Sequence, residues 1–511
     1  MRRAACGLGR WALLAPAALL AGCAVWTPRP LEPATVAAGF RARRLDDPGL
    51  RAYLAANLPG AAPRAPGTLD LAALALVGFY FHPDLDVARA RVEVAEGGIV
   101  TAGGRPNPVV FLGPEYNADS LVTAGTSPWL ATVAIAVPIE TAGKRGYRIA
   151  RAERLTEAAR LELADVAWRV RSQVRATLAE HLFARRELEL LEAEEAIRAE
   201  SVAVMEKRLA AGDVSRPDVN LAQAELASTH LAARTAQTRL AESRASLARA
   251  LGLPPVALDG VRLVWPELDG VPAAPPASPA ELQRQGLVNR ADVGRALAEY
   301  AAAEAQLRLE LARQYPDLQI GPGYKFDQGD NKFSVGVSLT LPILNRNEGP
   351  IAEAEGRRRE LSARFLAIQS AAIGDIERAL DRYGAVLAEA REAEAALAAQ
   401  GAREQAAGRA LELGESDRLT LIGARLGRAL AARAATSEAV TASRSARAAA
   451  SRAARSTRST GARRGSSWPT TWPSATVAPM PGHARPGGGA RRPASGARSV
   501  NEREGSASSD P

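Results

Sequence analysis

The side chains able to do chemistry are few and scattered. His82, His181, His230 and His483 stand in dissimilar contexts without metal-ligand spacing, whereas protein metal sites gather three or four ligands in short recurrent patterns. No nucleophile elbow, phosphate loop or His-anchored triad is present, and Gly321-Pro322-Gly323 is strand punctuation rather than a dinucleotide fingerprint. Acidic clusters such as Glu194-Glu195 read as solvated helix faces. The chain is therefore expected to be no enzyme, with no cofactor and no bound metal. Two cysteines, Cys6 and Cys23, cannot build a disulfide scaffold.

Cys23 has the strongest chemical context. Arg2, Arg3 and Arg10 precede an apolar stretch, Trp11 to Ala21, too short to cross a bilayer, which is the form of a secretory signal. It ends in Leu20-Ala21-Gly22-Cys23, similar to the bacterial lipobox. That similarity implies that residues 1–22 are removed and Cys23 becomes the acylated first residue. An ordinary signal peptide that happens to contain a cysteine is the alternative. Ala24 follows rather than the Asp of inner-membrane retention, which favours the outer membrane. Residues 23–67, with Thr27-Pro28-Arg29-Pro30 and Ala62-Pro63-Arg64-Ala65-Pro66, read as an anchor and extended tether.

The elements that would carry any site come from composition and repetition. Aromatics are 5% of 511 residues while Ala, Leu, Arg and Glu abound, which favours long helices. The net charge of +9 invites a nucleic-acid reading, yet residues 441–511 hold 12 Arg, no Lys and three acids, Glu502, Glu504 and Asp510. This tail carries the whole excess, so the other 440 residues are neutral and nothing marks a nucleic-acid partner. The tail lacks Leu, Ile and Phe, so we expect disorder beyond about residue 455. Its composition changes where a helix should continue, which suggests a frameshift near residue 440.

An internal duplication organises the body. Gly113-Pro114-Glu115-Tyr116 returns as Gly321-Pro322-Gly323-Tyr324 at an offset of 208, which Glu96/Glu304, Arg105/Arg313 and Pro108/Pro316 share. Val137-Pro138-Ile139 returns as Leu341-Pro342-Ile343 at 204, and Leu209, Gly212 and Arg216 return as Leu411, Gly414 and Arg418 at 202. Each repeat, 68–255 and 280–440 with a Pro-rich linker at 256–279, contains a helix, two strands and a long helical hairpin. The strands are expected near 107–116, 130–139, 316–326 and 332–343. In the last, Phe333, Val335, Val337, Leu339 and Leu341 alternate with Lys332, Ser334, Gly336, Ser338 and Thr340. Residues 148–211 contain no Pro or Gly and form a helix too thin to bury its own apolar stripe. The alternation suits a membrane barrel with a wet lumen or a soluble sheet with one buried face. Four strands cannot close in lipid, where each unpaired backbone group costs several kcal/mol. Either the strands lie outside the membrane or the chain is an obligate oligomer.

Over residues 68–440 this order of parts resembles the TolC-like outer membrane efflux factor family. The resemblance is carried by the duplicated plan, the strand-to-helix junctions 137–146 and 341–343, the tips Leu209-Ala210-Ala211-Gly212-Asp213 and Leu411-Glu412-Leu413-Gly414-Glu415, and His82-Pro83-Asp84-Leu85. It implies a mainly α fold with a small membrane β part. Three chains would close a 12-stranded barrel that continues as a periplasmic α-helical barrel. The implied role is the passive outer-membrane channel of a tripartite pump, working with a periplasmic adaptor and an inner-membrane RND-type pump. The Thr141-Ala142-Gly143-Lys144-Arg145-Gly146 junction looks most like the cobalt–zinc–cadmium branch. Pro138, Gly143, Gly146, Pro342 and Gly349 are read as junction residues. Gly212, Asp213, Arg216, Gly414, Glu415 and Arg418 are read as adaptor-docking tips, where charge reversal of either arginine is expected to leave folding intact. A coiled-coil adaptor or scaffold lipoprotein without a channel is the alternative.

Overall fold

Proline opens many of the helices and glycine closes the long hairpin turns, and the computed structural model follows that punctuation. It describes residues 26–58, 67–118, 127–268 and 278–453, all within one compact unit, Met1–Arg464. Cys23, the signal segment, the centre of the first strand hairpin, most of the linker and the tail after Ala453 lie outside the described residues.

Helices α1 (Pro33–Arg41) and α2 (Pro48–Asn57) lead to β1 (Thr68–Leu69), α3 (Leu71–Phe81) and α4 (Pro83–Gly103). Strands β2 (Val109–Tyr116) and β3 (Trp129–Ile139) follow, then α5 (Lys144–Ala211) and α6 (Arg216–Leu251). After β4 (Arg262–Leu263), which pairs with β1, the same order returns. Its parts are α7 (Pro279–Asn289), α8 (Ala291–Ala312), β5 (Leu318–Asp327), β6 (Asp330–Leu339), α9 (Glu348–Glu412) and α10 (Arg418–Ala453).

Two expectations are corrected. The stretch read as an extended tether holds α1 and α2. Pro33 and Pro48 sit in first turns, where the missing N–H has no helical partner to lose. The Asp47 side chain caps α2 by accepting from Leu50 N at 2.8 Å, and Leu50 is fully buried. The second repeat does not stop at Val440 either, because α10 runs on to Ala453 through alanines that favour helix without an apolar stripe.

The 68-residue α5 and 65-residue α9 each reach about 100 Å at ~1.5 Å per residue. Their support comes from neighbours. Leu74 and Val77 of α3, Leu85 of α4, Val174 and Leu178 of α5, and Leu247 and Leu251 of α6 close the main apolar core around Leu50. Among the described residues no single helix is long and apolar enough to cross a membrane. Helix α3 and α4 form a bent pair that passes by composition, but Ala73–Phe79 are spent in this core.

Four strands form one antiparallel sheet in the order β2-β3-β5-β6. Its lower corners are locked by charge. Lys144, 7% exposed, donates through Nζ to Asp317 Oδ1 at 2.7 Å and to the Tyr315 carbonyl at 2.6 Å. Thr141 N donates to the same carboxylate at 2.9 Å, and Thr141 Oγ1 donates to the Pro316 carbonyl at 2.6 Å. Glu140 pairs with Arg148, and Arg145 Nε donates to the Gly103 carbonyl at 2.8 Å. The β3-to-α5 corner is thus tied to the start of β5 and the end of α4.

Partial burial raises the Asp317 carboxyl, but the bonds from Lys144 and Thr141 outweigh it and hold the group below its ordinary value. The bond from Arg148 does the same for Glu140. A carboxyl depressed in the folded state contributes stability that is present above its unfolded pKa and lost as pH falls through the folded one. We expect thermal stability to drop as pH falls below about 4, and the drop to flatten in Asp317→Asn. Superimposable melting curves for wild type and variant between pH 6 and 2 would remove this lock from the stability of the fold.

Candidate functional site: the strand sheet, its junctions and the helical tips

The sheet has two chemically different faces. Val110, Leu112 and Tyr116 of β2 share a side with Val133, Ile135, Val137 and Ile139 of β3, as their cross-strand pairing requires. Ile320 and Tyr324 of β5 and Phe333, Val335, Val337 and Leu339 of β6 extend that side. The opposite side carries Gly113 and Glu115, Thr132, Ala134 and Ala136, Gly323 and Lys325, and Lys332, Ser334 and Gly336, with Val109, Phe111 and Leu130 as its larger apolar members. The apolar face is bare: Phe333 is 83% exposed and Val335 75%. Aromatic pairs Tyr116–Trp129 and Tyr324–Phe333, with centroids 5.0 and 5.3 Å apart, stand at the hairpin end of that face. An apolar band edged by aromatics is the form of a lipid-facing barrel wall.

The junction residues separate by role. Gly143 takes the left-handed conformation, φ 70°, that turns the chain into α5, whereas Gly146 lies inside the first turn with open space around it. At the second junction the left-handed residue is Asn347, φ 63°, and Gly349 is helical. Asn tolerates this region better than most residues, and Asn347 lies 204 after Gly143, a signal present in the sequence but not read from it. Its side chain donates to the Glu310 carbonyl at 2.8 Å and to Glu310 Oε2 at 2.9 Å, tying α9 to α8. Pro138 lies within β3 opposite Gln319, and Pro342 lies just beyond β6.

Both tips close by the same turn. Gly212 (φ 82°) and Gly414 (φ 75°) are left-handed. Asp213 N and Glu415 N each bond back five residues, to the Arg208 and Ala410 carbonyls, at 2.8 Å. Ser215 and Asp417 then cap the return helices, Ser215 in a capping box with Asp218 and Asp417 through Thr420 N at 2.8 Å. The two arginines differ. Arg216 is exposed with no ion-pair partner among the described residues, while Arg418 Nη2 donates to Glu200 Oε1 of the other hairpin at 2.7 Å. Beside it Arg208 pairs with Asp417 at 2.7 Å, again between hairpins. Arg418 therefore has a partner that Arg216 lacks, its guanidinium joining α5 to α10.

The histidines are dispersed. His82 caps α4 by accepting from Asp84 N at 3.3 Å, His181 meets Ser243 Oγ at 3.1 Å, and His230 meets Glu195 at 2.8 Å. Burial lowers the pKa of His82 and of His181. Glu194 is buried between Arg198 of its own helix and Arg433 of α10, at 3.0 and 2.8 Å.

Known proteins place this geometry. The family model described as outer membrane efflux protein matches residues 81–253. The cobalt-zinc-cadmium resistance protein CzcC of Cupriavidus metallidurans is 30% identical over 312 residues, spanning 59% of this chain and 69% of its own length. Among solved structures, the outer membrane protein VceC of Vibrio cholerae aligns over 75% of this chain and 96% of its own, with TM-score 0.59 and 20% identity. The outer-membrane channel OprN aligns over 84% and 98%, with TM-score 0.61 and 20% identity. With its fold shared by these proteins and its sequence by CzcC, the chain belongs to the outer membrane efflux protein family and is the outer-membrane channel component of a tripartite pump.

Proposed function

We propose that three copies of this chain close a 12-stranded barrel in the outer membrane, continued into the periplasm by their helical hairpins, and that the duct discharges heavy-metal cations. The observation that carries the assembly is the sheet itself. It has one bare apolar face, a second face that is mostly small and polar apart from Val109, Phe111 and Leu130, and unpaired outer edges on β2 and β6. Such edges are prohibitive in hydrocarbon, and four strands fall short of the smallest usual barrel of about eight. The metal cargo rests on the likeness to CzcC. Purified trimer in a planar bilayer should conduct ions, and cells lacking the protein should lose cobalt, zinc or cadmium resistance. A trimer without conductance sinks the channel; unchanged resistance to all three metals sinks the cargo.

The anchor is the acylated Cys23, each buried acyl CH₂ contributing ~0.8 kcal/mol to membrane attachment. Cys23→Ser should abolish lipid labelling and leave the precursor uncleaved by the lipoprotein pathway. Persistent labelling of that variant would refute the assignment.

The tips dock a periplasmic adaptor, which links the duct to an inner-membrane RND-type pump. Arg216→Glu should keep the trimer and weaken adaptor crosslinking. Arg418→Glu should also loosen the hairpins, since it exchanges an exposed ion pair worth about 0–1 kcal/mol for two facing carboxylates. Protease nicking near residue 414 should therefore rise for Arg418→Glu and not for Arg216→Glu. Wild-type crosslinking and export by Arg216→Glu would end the docking role of that residue.

A further inference from the structure

The duplication predicts more than the number of strands. The offsets of 208 before each strand hairpin and 204 after it convert one observed register into the other. The pairs Val110↔Ile135, Leu112↔Val133, Gly113↔Thr132 and Tyr116↔Trp129 become Leu318↔Leu339, Ile320↔Val337, Gly321↔Gly336 and Tyr324↔Phe333, all of which are present. The two hairpins are therefore equivalent residue by residue. The seam joining them, β3 to β5, has no equivalent within one chain, because it would join β6 to a β2 that lies at the far edge of the sheet.

From this equivalence we infer the register of the seam between two copies of the chain. Applying the offsets to Val137↔Ile320 and Ile139↔Leu318 gives Leu341 opposite Leu112 of the next copy and Ile343 opposite Val110. The proposal rests on the barrel reading above and deepens it by naming which residues meet.

Three features of the single chain agree with it. First, the register calls for strand as far as Ile343, whereas β6 stops at Leu339 and leaves Leu341, Ile343 and Leu344 exposed, the last fully. The apolar alternation of β6 does continue through Leu341.

Second, Gly321 is forced within the chain, because a Cβ there would fall 1.5 Å from the Ile135 carbonyl oxygen of β3. Its equivalent, Gly113, meets only the Phe111 ring of its own strand. Under the proposed register Gly113 lies against Leu339 of the neighbour, the equivalent of Ile135, and faces the same backbone approach.

Third, the helices below show the same asymmetry. Helix α8 packs against α5, and Gly294 faces Leu161 at the start of a buried stripe, Ala298, Ala302, Ala305 and Leu309. The equivalent stripe of α4 is Ala90, Val94, Gly97 and Thr101, and it lies exposed, with Val94 at 76% where Ala302 is at 3%. It is bare on the side where the equivalent of α5, the neighbour's α9, would pack. One rotation thus covers β2, β6 and α4 together. A slip of one residue would move the apolar side of β6 off the face of Val110 and Leu112 and onto the face that carries Gly113 and Glu115.

The test is disulfide trapping in the full-length protein in outer membranes. Directly opposed strand residues have Cβ atoms about 4.5–5.5 Å apart, while diagonal neighbours are about 7–8 Å apart. Leu341→Cys combined with Leu112→Cys should give covalent trimers on mild oxidation, in at least tenfold higher yield than Leu341→Cys combined with Val110→Cys or Pro114→Cys. Each single substitution serves as a control, and native electrophoresis reports assembly separately. An intact trimer that crosslinks best at a shifted pair, or equally at all three, overturns the register and leaves the barrel reading standing. Wild-type protein that stays monomeric in the membrane overturns both.

Discussion

A strand edge cannot be left bare in hydrocarbon, and most of this molecule follows from that constraint. Every backbone N–H and C=O at membrane depth needs a partner in protein, so the proposed barrel requires strands with one lipid-compatible face and edges that another copy can complete. Alternation along β3 and β6 meets the first demand, although β2 opens with the continuous apolar run Val109-Val110-Phe111-Leu112, and the open edges of β2 and β6 meet the second. The unusual residues sit where the ladder is under most stress. Pro322 offers no N–H to β3, and next to it Gly321 lets the β5 backbone press against the Ile135 carbonyl. The pairing of β3 with β5 lapses only around Ile135 and Ala136 and resumes in the same register at Val137. A proline inside a central strand is normally excluded; here the adjacent glycine accommodates the close approach.

The helices solve a different problem along their length. Around Leu50 and Leu178 the hairpin of α5 and α6 is embedded in an apolar core fed by α2, α3 and α4. Toward the tips that core gives way to charge: Arg433–Glu194, Arg418–Glu200 and Arg208–Asp417 join the two hairpins of one chain. Burial of leucine contributes about 1.5–3 kcal/mol per side chain, exposed ion pairs about 0–1. The body is therefore held much more firmly than the ends, and the tips are the segment most easily displaced by a partner.

Much of this was legible in the residues. Period-two alternation, the Gly-Pro repeat and the glycine at each helical turn encode local geometry, so the strands and tips could be placed to within a few residues. What escaped depended on distance or on context. Arg418 and Glu200 are 218 positions apart, and no local pattern announces their meeting. Helices α1 and α2 were obscured because proline at a first helical turn and proline in an extended linker look alike in sequence; Leu50 in the core decides between them. The left-handed residue at the second junction was sought among glycines, although Asn347 performs the same turn and adds a bond to α8.

In the proposed assembly duplication creates a hazard of its own, since β3 joins the β5 of its own chain while β6, built alike, joins a different copy. Backbone pairing cannot tell the two seams apart; side chains at the corners can. Lys144 follows β3, but its equivalent after β6 is Glu348; Asp317 precedes β5, but its equivalent is Val109, the first residue of β2. Under the proposed register the correct inner seam unites Lys144 with Asp317, as observed. The exchanged pairing would bury Lys144 against Val109 without a carboxylate and bring Glu348 toward Asp317. A buried charge stripped of its partner is strongly destabilising, and juxtaposed like charges reject a wrong partner. Under that register the lock, besides stabilising the folded corner, distinguishes the seam within the chain from the seam between copies.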